Sequence, residues 1–135
     1  VSVYDLRTRI GDFENIAVSA AAITHVSVNR GILTPTSLSG AGTITMNLFS
    51  GQNFLVTLTG NRTLANPTSP TAGQTGIIYV KQDGTGSRTL AFGSSYNFSG
   101  GTPPTLSTNA NAVDLLAFSV RTTSEIDVVF TPDFR

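Results

Sequence analysis

The chain has 135 residues, eight basic and eight acidic side chains, one histidine and no cysteine. That length suits one domain able to bury a core without covalent staples. The sparse, balanced charge excludes an electrostatic grip on nucleic acid or an anionic membrane, and the missing cysteine excludes a disulfide scaffold and thiol chemistry.

Serine and threonine make up roughly a quarter of the residues, while Lys and Glu are few, a balance that suits pleated, half-wet strands better than helices. The first segment differs from the rest. Residues 1–14 (VSVYDLRTRIGDFE) carry Asp5, Arg7, Arg9, Asp12 and Glu14 close together, and residues 15–22 (NIAVSAAA) are small and apolar. Leu6, Ile10 and Phe13 are spaced for one helix face, but Gly11 interrupts it. Residues 1–22 read as an arm shaped by what it docks on, whether its own domain or a partner.

Residues 23–29 (ITHVSVN) alternate and predict a strand, followed by a Pro- and Gly-containing connection to Gly42. Ile44, Met46 and Leu48 then alternate with Thr43, Thr45 and Asn47, and Phe54, Val56 and Leu58 alternate with Leu55, Thr57 and Thr59. Gly51 between these runs suits a hairpin. Asn66-Pro67 and Ser69-Pro70 mark a loop, because proline fixes φ and cannot donate to a ladder. Residues 76–82 predict a strand, 83–86 (DGTG) a tight turn, and 87–92 a returning strand. Residues 93–112 predict a long loop, 113–120 the most apolar strand, and 125–130 a closing strand with Ile126, Val128 and Phe130 inward. The expected fold is all-β: an antiparallel, jelly-roll-like β-sandwich over residues 23–135, with an extended N-terminal arm over 1–22. No repeat of fixed period stands out, so a propeller or solenoid is not expected.

Catalytic signatures are missing. The single histidine, His25, sits in an alternating run with no cysteine or clustered carboxylate to complete a metal or nucleophile site, and no Gly-x-Ser-x-Gly elbow occurs. Asp83, Asp114, Glu125 and Asp127 read as turn, loop-exit and outward strand carboxylates rather than a paired acid and base. The expectation is a non-enzyme without metal or cofactor. No apolar run reaches the length of a membrane span, so no membrane insertion is expected. Tyr96, Asn97 and Phe98 form the best recognition candidate, since an aromatic face beside an amide suits a sugar. The same aromatics could instead plug the end of the sandwich or a subunit interface.

One resemblance covers about half of the chain. LTGNRTL at residues 58–64, Asn66-Pro67, GQTGIIYVKQDGTGSRTLAF at 73–92, Gly100-Gly101, PTLST at 104–108 and NAVDLLAF at 111–118 keep their order and spacing. Together they resemble a β-sandwich module of tailed-bacteriophage virion surface proteins. The resemblance implies a non-enzymatic module on the virion surface, assembled in the host cytoplasm, and often a homotrimer. Leu55, Ile77, Tyr79 and Leu115 fall on the second face of their strands, which suits either an oligomer contact or a second layer of the same sandwich. The leading expectation is a trimeric capsid decoration (cement) or short head-fibre protein. It would dock on the major capsid protein or another virion protein through Tyr4, Leu6, Ile10 and Phe13 of the arm. The alternative is a tail-fibre or tail-tip domain that recognises host surface glycans through residues 66–74 and 93–112.

Overall fold

A computed structural model of the protein describes residues 31–135. The arm, the strand expected over 23–29 and His25 lie outside these residues, as does the boundary expected after Ala22. The described residues form strands β1 (Thr36–Leu38), β2 (Thr43–Ile44), β3 (Asn53–Leu58), β4 (Arg62–Leu64), β5 (Thr75–Gln82), β6 (Leu90–Phe92), β7 (Tyr96–Phe98), β8 (Val113–Thr122) and β9 (Glu125–Phe134). Their one helical element is a 3-10 turn at Ser99–Gly101.

The all-β class and the layering of two sheets are as expected, but the pairing is mixed rather than antiparallel or jelly-roll-like. A six-stranded sheet has the order β1-β3-β5-β8-β9-β7, and a three-stranded sheet the order β2-β4-β6. β1, β3 and β5 pair in parallel, as do β2, β4 and β6, and β7 with β9. Only β5–β8 and β8–β9 are antiparallel. The chain therefore climbs as a short solenoid of three coils, passing from one sheet to the other at each corner, and ends in a β8–β9 hairpin.

Two expected hairpins are corrected by this path. The alternating runs over 44–48 and 54–58 do not pair with each other, nor do β5 and β6. In both cases the chain crosses between sheets. Alternation fixes which face of a strand turns inward and leaves open whether its neighbour is bonded beside it or packed opposite it. The corner chemistry decides. Gly40 sits so close beneath the next coil that a Cβ there would lie 1.8 Å from the Thr57 carbonyl oxygen. The Gly40 oxygen accepts bonds from Thr59 Oγ1 at 3.0 Å and Arg62 Nε at 2.6 Å. Asn61 and Asn66 extend the stacking one coil further, their Oδ1 atoms accepting Thr89 N–H and Ser95 N–H at 3.0 and 2.9 Å.

Both sheets face one core. Ile44 and Leu64 of the small sheet meet Phe54, Val56, Leu58, Ile78, Val80 and Leu116 of the large one, each almost fully buried. At about 1.5–3 kcal/mol per buried aliphatic or Phe side chain, this cluster is the main source of stability. Met46 and Leu48 join it from the segment after β2, where Leu48 N–H and Thr68 N–H bond to Thr68 O and Met46 O.

Candidate functional site

The strand directions sort the connections into two ends. At the near end, where residues 31–35 lead into β1, lie residues 45–52, 65–74, 93–95 and the β8–β9 turn. At the far end lie residues 39–42, 59–61, 83–89 and 99–112. The loop expected over 93–112 is thus divided, because β7 carries the chain from one end toward the other. Its far part, 99–112, lies at the end opposite residues 66–74, so the two segments expected to face the host do not share one end. Exposed apolar side chains collect at the near end, with Phe49 88 % exposed on a turn whose Asn47 Oδ1 accepts the Phe49 N–H.

Tyr96, Asn97 and Phe98 are strand β7, at an edge of the large sheet. Tyr96 is buried, and its hydroxyl donates to Ala65 O at 3.0 Å. Burial pushes its phenol well above the ordinary range. Its ring meets Phe92 edge-on at 5.8 Å between centroids, and Phe98 meets Phe92 at 4.7 Å. Tyr96 therefore closes the core, and Asn97 alone of the three is exposed. Beside Phe98 runs a shallow groove of about 230 Å³, lined by Pro104, Val128, Val129 and Phe130. It adjoins a second hollow over Asn97 and Asp127.

Asp127 is one of the outward carboxylates, and it is committed to an ion pair. Arg121 Nε and Nη2 donate to its two oxygens at 2.9 and 3.0 Å, while Arg121 Nη1 lies 3.3 Å from Glu125 Oε2. The Arg121 hydrogen bond holds the Asp127 carboxyl below the usual range. Asp114 is buried and accepts Ser107 N–H and Asp133 N–H at 2.8 and 2.9 Å, tying the 99–112 segment to β9. Among the described residues no group of three or more His, Cys, Asp or Glu could hold a metal ion, and no helix is long and apolar enough to cross a membrane.

The second-face residues converge. Leu55, Tyr79 and Leu115 form one cross-strand row over β3, β5 and β8, and Ile77, Ala117 and Val129 form the next over β5, β8 and β9. All six point away from the core, with Leu55 39 % and Val129 67 % exposed and the others half-buried. Among the described residues, the small sheet packs on the opposite face of the large one.

The corner between β5 and β6 was legible only as a tight turn. Asp83 Oδ1 accepts Thr85 N–H and Gly86 N–H at 3.0 and 2.9 Å, and its carboxylate takes a two-pronged grip from Arg88 Nε and Nη2 at 3.0 and 2.8 Å. That Arg88 bond, with the two backbone N–H groups, holds the Asp83 carboxyl below its ordinary value against the opposing effect of burial. Gln82, 1 % exposed, closes the corner from inside: its Oε1 accepts Arg88 N–H at 2.8 Å and its Nε2 donates to Arg88 O at 2.9 Å. No single-sequence signal marks Gln82, since a glutamine ending an apolar strand ordinarily reads as the strand's exit to solvent.

The family model described as "Putative phage tail fibre C-terminal domain" matches residues 41–123, more than half of the chain and nearly all of the coils. No curated protein and no solved structure matches the chain.

Proposed function

Since the chain belongs to this family of phage tail fibre C-terminal domains, we propose that it is a non-enzymatic part of a tail fibre, presented to the host as a homotrimer. It is a bacteriophage virion protein module. The family match carries the choice of tail over head, and it favours the tail-fibre alternative over capsid decoration.

The homotrimer rests on the outer face of the large sheet. Parallel strands are ordinarily covered on both faces, and here the second face holds aliphatic side chains around Tyr79. The four strands β3, β5, β8 and β9, six to ten residues long and about 4.8 Å apart, give the whole face, polar rows included, roughly 500 Å² in plane. That is below the ~800 Å² per partner of a stable interface, so the two aligned apolar rows, rather than the area, support a contact between copies. Fewer charges at the centre than at the rim, where Lys81 and Asp127 stand, suit a contact between copies. In this reading Tyr4, Leu6, Ile10 and Phe13 bind another virion protein, and the loops meet the host surface, including its glycans.

Imaging of purified virions at subunit resolution tests the placement. Threefold density on the tail fibres is the expected result. Density repeated over the capsid lattice would restore decoration and remove the fibre reading.

A further inference from the structure

We propose that the far-end cleft between the β5–β6 corner and residues 104–108 is a binding site for a neutral sugar ring, with Arg88 as its central donor. The inference rests on the tail-fibre reading and assigns a place and a ligand chemistry to its host contact.

The cleft has a volume of about 170 Å³, and Ser87, Thr89, Thr105 and Thr108 line it together with Arg88 and Leu106. These four hydroxyl-bearing residues are exposed, whereas Leu106 is buried. A sugar offers alternating hydroxyls and a C–H face, and this lining supplies groups that donate and accept over an apolar floor.

The walls are fixed before any ligand arrives. Ser87 holds a left-handed φ of 59°, a conformation a non-glycine residue adopts at a cost and one that concentrates at functional sites. Its N–H donates to Thr108 O at 2.8 Å, joining the walls. Gly86, at φ 74°, packs so closely that a Cβ would lie 2.5 Å from Thr108 O. Buried Gln82 clamps the Arg88 backbone, and Asp83 clamps its guanidinium. Binding therefore forfeits little side-chain freedom.

The same clamp selects the ligand's charge. Asp83 occupies Nε and Nη2 of Arg88 and cancels its charge. Nη1 has no bond among the described residues and remains to donate to a hydroxyl. A neutral polyhydroxyl ring fits that arrangement, and an anion gains little from a guanidinium already paired.

The test is an amide NMR titration of the full chain with methyl glycosides of neutral hexoses and 6-deoxyhexoses, with methyl glucuronide as the charged control. Expected are shifts at Ser87, Thr89, Thr105, Thr108 and the Arg88 Nε–H, with Asn97 unmoved. Arg88→Lys and Thr108→Val are expected to weaken binding at least tenfold while leaving the remaining spectrum unchanged. The valine keeps the shape of the side chain and the carbonyl that holds Ser87. Three results would overturn the site: no neutral sugar shifts the cleft, the glucuronide binds tenfold tighter than the neutral sugars, or both variants bind as the parent does. Host-cell binding separates this from the wider reading. Variants that bind cells as well as the parent leave a fibre tip whose receptor site lies elsewhere. A parent chain that binds no host cell removes the fibre-tip reading and the cleft with it.

Discussion

Single atoms decide two of the tightest places in the fold. Gly40 is required by contact with backbone rather than by its own φ, so Gly40→Ala drives a methyl into the Thr57 carbonyl, which no rotamer relieves. A loss of about 3 kcal/mol or more in a urea titration is expected. Tyr96 gives a gentler case. Tyr96→Phe keeps the ring against Phe92 and leaves Ala65 O without its donor, an expected cost of about 1 kcal/mol. The pH profile has a definite sign. The folded phenol is raised, so its stabilisation is complete below about pH 10, the unfolded value, and is lost as pH climbs toward the folded one. Alkaline unfolding followed by circular dichroism should show this loss in the parent and a flatter profile in the phenylalanine variant.

At the scale of strands and corners, the sequence revealed burial far better than pairing. The alternation of Phe54, Val56 and Leu58, of Ile78 and Val80, and of Ile126 and Val128 marks inward faces correctly, because side chains in a strand alternate whatever the strand bonds to. β1, β4 and β7 were missed as strands. Three-residue strands carry too little alternation to stand out, and their ladders come from coils distant in sequence. Solenoid order was hidden by unequal coils: Thr36 pairs with Phe54 and Phe54 with Ile78, spacings of 18 and 24 residues, so no fixed period exists to be read. The β5–β6 corner shows what replaces a ladder there. Gln82→Leu preserves volume but strands the Arg88 N–H and carbonyl, an expected loss of about 2 kcal/mol with faster hydrogen exchange at Arg88. Acid acts on the same corner. The Asp83 carboxyl is depressed on folding, so its stabilisation is present above about pH 4 and disappears as pH falls through the folded value. The urea midpoint of the parent should drop across that window more than that of Asp83→Ala.

For the whole molecule, the outer face of the large sheet was legible in the second-face residues Leu55, Ile77, Tyr79 and Leu115, although their convergence on adjacent strands was not. If copies meet there, Leu115→Arg should convert a trimer to monomers in sedimentation velocity with an unchanged far-UV spectrum, since the side chain points out of the core. An unaltered trimer would put the contact on another surface. The unequal coils have a different consequence. Registers between strands persist although the coils differ in length, so the corners accept insertions without disturbing the rungs. In the tail-fibre reading proposed above, such a scaffold would let a phage change host by lengthening or rewriting a corner. It also offers a place to graft foreign peptides for display, with the 39–42 and 59–61 corners held tight by Gly40 and the exposed 99–103 stretch the natural first choice.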